Sequence, residues 1–469
     1  MTAFSSRKPK LPEPFVERIY RQFAGEYPEF LQALEMSPHT SIRLHPHKWA
    51  FRGDADDPLL PAPFQEPVPW SQNGLFLQER PSFTMDPLFH AGGYYVQEAS
   101  SMFLEYVLNL PELRSQSQLV LDACASPGGK TTLIAAQYPE SLVIANEVIR
   151  SRLAALLENS IKWGTGNIVI TQNDTAQFSS LSQFFDLVVA DAPCSGEGLF
   201  RKNPAARQEW TPDSARHCAM RQRSILKNLW NAIKPGGYLI YTTCTFNPDE
   251  NEHNVAWLLE LTGGQCIRIP IPSGDSAIHE ISGGAVTGYG FYPHRVSGEG
   301  FFLTLIRKPP ASDDFHPYRP RVRAKPILDP DKKMAAKASG WFINQDYSWF
   351  QIRDRLHRIR STHLDLLHLL ASTLSVRYAG TETATIIRDQ LRPSAAAALD
   401  IHIDLNHFPN IPCSKEQALA FLRRESLPVP EEAAKGWHLA TYQGLPLGWL
   451  KNIGNRMNNY HPKEWRIKK

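Results

Sequence analysis

The sequence has no CxxC pair among its six cysteines (Cys124, Cys194, Cys218, Cys244, Cys266 and Cys413), which removes the usual zinc-site and disulfide-framework patterns. No apolar run approaches the roughly 20 residues that span a bilayer, and Met1–Lys10 is a polar lead without a secretory hydrophobic stretch. These absences predict a cytoplasmic protein with reduced thiols, no membrane contact and no metal. Charge of one sign is also scarce. With 50 basic and 47 acidic residues the net charge is +3, so a nucleic-acid partner has to be argued from local clusters. There is no internal repeat. Length is what the chain has: 469 residues leave room for roughly three domains of about 150 residues.

The stretch Asp186-Leu-Val-Val-Ala-Asp-Ala-Pro-Cys-Ser-Gly196 is an apolar run, typical of a buried parallel strand, that stops at an acid, a proline and a thiol. In open α/β sheets ligands bind outside the carboxyl ends of the strands, so Asp191, Pro193 and Cys194 are expected at a site. Tyr238-Leu-Ile-Tyr-Thr-Thr-Cys-Thr245 follows the turn Lys234-Pro-Gly-Gly237 and brings Cys244 to the same level if the two strands are neighbours.

From Leu119 strand and helix patterns alternate, the signature of a doubly wound sheet. Strands are expected at about 119–123, 142–146, 167–171, 186–190 and 238–242. A long helix is expected over 214–233, with a later strand at 301–307, antiparallel and at an edge. The first 92 residues read as a small α+β appendage with a strand at 41–44 and a proline-rich surface loop at 57–69. Tyr94 and Tyr95 are weighed as packing residues before a helix through Phe103, Tyr106 and Val107. Residues 309–394 read as a basic, proline-rich linker (Arg319, Arg321, Arg323, Lys325) and an intermediate mixed α/β region, with Arg353, Arg355, Arg358 and Arg360 on a loop or helix. Residues 395–469 read as a small β-rich barrel.

Leu121-Asp-Ala-Cys-Ala-Ser-Pro-Gly-Gly-Lys-Thr-Thr132 is a strand, a glycine turn and a helix start, where backbone approaches a ligand closely. A phosphate-binding P-loop needs glycine where Cys124 stands, and no GxGxxG is present. S-adenosylmethionine remains. Glu147, after the second strand, suits the ribose hydroxyls, and Asp174, after the third, suits the adenine amine. Either acid alone is more simply a helix N-cap.

Asp191-Ala-Pro-Cys-Ser-Gly196, Thr242-Thr-Cys-Thr245 and Cys124-Ala-Ser-Pro-Gly-Gly-Lys130 together resemble the motif set of the NOL1/NOP2/Sun family of RNA cytosine-C5 methyltransferases. The resemblance covers about residues 94–308. It implies a Rossmann-like class I S-adenosylmethionine-dependent methyltransferase domain over 93–308. By the same resemblance Cys244 attacks cytosine C6, Cys194 helps to release the enzyme, and Asp191 contacts N3. Cys124, Ala125, Ser126, Pro127, Gly128, Gly129, Lys130, Glu147, Asp174 and Asp191 would line the cofactor. The flanking arrangement, with Gly448-Trp-Leu-Lys451 and Asn459-Tyr-His-Pro-Lys463 near the end, is similar to the family's bacterial 16S ribosomal RNA branch. That implies an N-terminal RNA-binding appendage (1–92), a PUA-like RNA-binding domain (395–469), and a monomer acting on 16S ribosomal RNA or the 30S subunit.

Rival readings remain at this stage. An amino-group methyltransferase needs an Asn/Asp-Pro-Pro-aromatic pocket, which this chain lacks. A non-catalytic RNA-binding assembly protein has no use for Cys194 together with Cys244, and a transfer RNA substrate keeps the chemistry. Cys218, Cys266 and Cys413 read as small hydrophobes. The basic clusters at 319–325 and 463–469 are as readily solvated surface as RNA contacts.

Overall fold

Parallel pairing of two apolar runs sets the geometry. In the computed structural model Phe185–Asp191 and Ile233–Thr243 are adjacent parallel strands, with Asp191 opposite Thr242. Leu187, Val188, Val189, Leu239 and Ile240 are fully buried, as in strands covered on both faces. The expected turn at Lys234–Gly237 is a bulge inside the longer strand. Ile233 faces Phe185 and Tyr238 faces Leu187, so the intervening residues leave the ladder and Gly236 takes φ +76°. The structure describes residues 8–49, 59–115, 118–271, 277–310, 327–343 and 346–468. The cluster Arg319, Arg321, Arg323 and Lys325 lies outside them.

The chain divides into two compact units. The first comprises Met1–Ser41, Gln97–Cys124 and Asp174–Tyr318. Its strands run in the order His279–Gly283, Val286–Phe291, Phe301–Arg307, Ile233–Thr243, Phe185–Asp191, Leu119–Asp122. The first three pairings are antiparallel and the last two parallel, giving a mixed sheet. Phe301–Arg307 is antiparallel as expected but lies inside the sheet, not at its edge, because the hairpin before it adds two more strands. The long helix, Pro212–Ala232, starts at a Thr211 cap with proline in its first turn and buries Ile225, Leu226, Leu229 and Trp230. Two N-terminal helices, Glu13–Gln22 and Tyr27–Glu35, bury Phe15, Ile19, Phe30 and Leu34 in one cluster with Phe200, Trp210 and Phe246.

The second unit comprises Ile42–Val96, Ala125–Asn173 and Arg319–Lys469. Leu142–Asn146 pairs in parallel with Ile168–Thr171, and Val376–Ala379 lies antiparallel beside the latter. The proline-rich segment expected as a loop contains a short strand, Phe64–Pro67, at the end of a four-stranded sheet, where a proline costs no ladder hydrogen bond. Tyr94 is core, its hydroxyl donating to Asp86 Oδ2 at 2.6 Å. Arg355, Arg358 and Arg360 occupy a strand, Arg355–Arg360, rather than a loop or helix, and Arg353 forms its turn at φ +57°. Arg358 is buried there because its guanidinium lies over the rings of Phe342 and Tyr347 and donates to Asp400 at 2.8 Å. The last sheet runs Asn410–Pro412, Gly436–Tyr442, Leu445–Asn452, Met457–Asn459, with the helix Lys415–Leu422 packed on it.

Candidate active site

In the first unit the ends of two parallel strands bring Asp191, Cys194 and Cys244 together. Thr242 Oγ1 donates to Asp191 Oδ1 at 2.7 Å. Cys194 Sγ lies 3.0 Å from Cys244 Sγ, and the Cys244 amide donates to the Cys194 sulfur at 3.3 Å. The hydroxyls of Ser195 and Thr245 meet at 2.9 Å, so the residues that follow each thiol are joined as well. The hydrogen bond with Cys244, then burial, then the nearby charge of Glu250 hold the Cys194 thiol well above its ordinary range. The two thiols are close enough to share a proton, and either sulfur can be the donor.

Close backbone approach shapes the Cys244 loop. The Gly198 amide donates to the Cys244 carbonyl at 2.9 Å, and a side chain at Gly198 would meet Gly300 O at 2.6 Å and Cys244 O at 2.8 Å. Beneath it Glu197 is fully buried and bound by Arg18 of the first helix at 2.6 Å. Burial raises the Glu197 carboxyl and the Arg18 guanidinium pulls it back down. Gln22 on the same helix donates to Phe246 O at 3.1 Å.

The other expected residues fall elsewhere. Cys124 is half-buried after the Leu119–Asp122 strand. Asp174 caps a short 3-10 helix by accepting from the Ala176 amide, with Gln177 completing a capping box, so the plain cap reading describes its contacts. In the second unit Ser126, Pro127 and Gly128 turn into the helix Gly129–Gln137, with Gly128 at φ +111° and no side-chain cap on the helix start. Lys130 is the second residue of that helix. Ala125 N donates to Asn146 O, and Ser126 is held from both sides by Arg152, whose Nη2 donates to Ser126 O at 2.6 Å. Arg152 also pairs with Glu147, which accepts from the Ile149 amide at 2.8 Å. Turn and acid are thus joined through one arginine. Cys218, Cys266 and Cys413 are half-buried, and burial raises each thiol.

Sequence reasoning missed Arg18, Glu197, Gln222 and Glu250. Gln222 carried a readable signal: it is a polar residue on the stripe that continues through Ile225, Leu226 and Leu229. Its amide donates to Pro193 O at 3.0 Å and to Glu250 Oε2 at 2.9 Å. Arg18 and Glu197 lie 179 positions apart, and nothing local announces their meeting.

A mixed sheet with an acid and two thiols at the ends of neighbouring parallel strands defines an α/β fold of the Rossmann-like class, which binds its ligands outside such strand ends. Comparison with known proteins narrows this. Residues 108–307 match the model of 16S rRNA methyltransferase RsmB/F, residues 11–99 that of the N-terminal domain of 16S rRNA methyltransferase RsmF, and residues 408–467 that of the RsmF PUA domain. The chain is 31% identical to ribosomal RNA small subunit methyltransferase F of Klebsiella pneumoniae, over 97% of this chain and 96% of the relative. It is 32% identical to the protein of that name from Escherichia coli O127:H6, with the same coverage. Among solved structures, a methyltransferase homologue from Pyrococcus horikoshii is 26% identical with TM-score 0.52, covering 63% of this chain and 95% of that one. NSun6 from the same organism, solved with SFG, shares the fold at 21% identity and TM-score 0.53, over 63% of this chain and 98% of that one. The chain belongs to the RsmF family of RNA methyltransferases, with an N-terminal domain before the methyltransferase domain and a PUA domain after it.

Proposed function

We propose that the protein methylates C5 of a cytosine in 16S ribosomal RNA, using S-adenosylmethionine and a covalent bond from Cys244. The observation that carries this is the pair of thiols 3.0 Å apart beside Asp191, at the ends of neighbouring parallel strands. Methylation of a nitrogen or oxygen needs no thiol; activation of a weakly nucleophilic ring carbon needs one to add to C6, and a second beside it is placed to assist its release. The relatives' names, ribosomal RNA small subunit methyltransferase F, support the substrate.

The residues fit the cofactor. Gly128 in the left-handed region lets the backbone approach a carboxylate closely at the helix start, and Glu147 and Asp174 each keep lone pairs beyond their present bonds. Residues 124–130, Glu147, Asp174 and Asp191 would hold it. Bound there, S-adenosylmethionine would supply an electrophilic methyl group. The rest belongs to the chain. The Cys244 thiolate adds to C6 and opens the C5=C6 bond, while a proton given by Asp191 to N3 neutralises the ring and leaves C5 nucleophilic as an enamine. Once C5 carries the methyl group a base removes its proton, those electrons rebuild C5=C6, the C6–S bond breaks to return Cys244 as thiolate with Cys194 assisting, and N3 gives its proton back to Asp191. The target base is flipped from its stack beside Pro193, and residues 1–92 and 395–469 bind flanking RNA by phosphate and shape.

Cys244→Ala should abolish methyl transfer. Cys194→Ala should accumulate a protein–RNA adduct that survives denaturation; its absence would overturn the division of roles.

A further inference from the structure

Glu250 lies fully buried behind the thiol pair, outside the residues assigned above. Its Oε2 accepts from the Ser195 amide at 2.8 Å and from Gln222 Nε2 at 2.9 Å. The same Gln222 nitrogen donates to Pro193 O at 3.0 Å, and Gln222 Oε1 is fixed by Asn254 Nδ2 at 2.8 Å. Both neighbours of Cys194 are thereby tied to one carboxyl-amide pair. Glu250 Oε1 is buried and has no hydrogen-bond partner among the described residues. A carboxyl with both bonds on one oxygen has the other available for a proton. The ionisable groups facing it are Cys194, Cys218 on the Pro212–Ala232 helix, Glu197, and Tyr241, whose hydroxyl donates to the Glu250 carbonyl at 2.5 Å.

We propose that Glu250 is a positioning residue that fixes the Cys194 loop and, by gaining or losing its own proton, sets whether Cys194 carries a proton when Cys244 is released. The inference rests on the covalent reading above. An ionised carboxylate beside Cys194 opposes formation of a second anion, whereas a protonated one permits it. Burial pushes the Glu250 carboxyl up to about 7, against the bonds from Ser195 and Gln222, so its charge changes near neutral pH. Only a proton is gained or lost at the carboxyl, and no redox step is involved.

The full chain with iodoacetamide tests this without RNA, by peptide mapping of Cys194 alkylation across pH 5.5–9. In the wild type the Cys194 profile should bend near pH 7, where Glu250 ionises. Glu250→Gln keeps an acceptor for Ser195 but cannot ionise; it should remove that bend and raise alkylation at pH 8 about ten-fold, one pKa unit of relieved like-charge repulsion. A wild-type profile without a bend, or an unchanged one in Glu250→Gln, overturns the proposal, and the wild-type arm stands even if the variant folds poorly. Release of the RNA adduct is the second readout: Glu250→Gln should form adduct within about two-fold of wild type while losing the inflection near pH 7 in release. If Cys194→Ala forms no adduct, the division of roles between the thiols fails and the role of Glu250 in release fails with it; the alkylation profile separates that from a failure at Glu250 alone.

Discussion

Arg18 Nη2 donates to Glu197 Oε2 at 2.6 Å, joining the first helix to the floor of the loop that carries Cys244. The carboxylate is fully buried and the guanidinium about a quarter exposed. Arg18→Met should therefore leave a buried acid without its cation, lowering stability by about 2–3 kcal/mol. Denaturant unfolding checks this, and methyl transfer should fall in the surviving folded fraction because Phe246 O loses its Arg18 bond as well.

Gly198 and Gly196 stand two residues apart and should answer differently. Alanine at Gly198 collides with two carbonyl oxygens that cannot rotate away, one of them that of Cys244. It should cost about 1–3 kcal/mol and displace Cys244, cutting methyl transfer well beyond the loss of folded protein if Cys244 has the proposed role. Alanine at Gly196 meets nothing closer than Leu199 Cδ1 at 3.8 Å but must hold φ +72°. It should cost about 1–2 kcal/mol and leave the rate per folded molecule near wild type.

Thr242→Val removes the hydroxyl that orients Asp191. A lost hydrogen bond is worth about 0.5–1.5 kcal/mol, so the thermal midpoint should fall by a few degrees, while kcat, which depends on Asp191 being held at N3, should fall roughly ten-fold or more. Single-turnover methylation beside a melting curve separates the two effects.

The second unit should be acid-labile. Burial pushes His90 down to about 3 and His357 and His461 to about 4, and holds His45 well below the usual range. These groups stay neutral in the fold while the unfolded chain takes up protons, so the stability they contribute is complete above about pH 6.5 and is lost as pH falls toward the folded values. Each costs about 1.4 kcal/mol per pH unit in that window. The melting temperature should fall steadily below pH 6, and His357→Gln should flatten the decline.

Much of the site was legible because strand ends write themselves into sequence. Apolar runs stop at Asp191 and before Cys244, and their parallel pairing follows from the alternation of strands and helices. The supporting residues were not legible. Glu250 and Glu197 look like surface acids until Gln222, Ser195 and Arg18 close on them from distant segments. Arg358 misled for the same reason: an arginine among arginines reads as part of a loop or helix, and Asp400 with two aromatic rings takes it into the core on a strand. Asp174 shows the converse, a residue whose visible contacts are those of an ordinary cap.

The central claim is methylation of cytosine C5 in 16S ribosomal RNA. Bisulfite sequencing of ribosomal and transfer RNA from cells with and without the gene tests it most directly. The account predicts a cytosine in 16S ribosomal RNA that resists conversion only when the gene is present, restored by the wild-type chain and not by Cys244→Ala. Loss confined to transfer RNA would contradict the substrate, and no change in either RNA would contradict the chemistry.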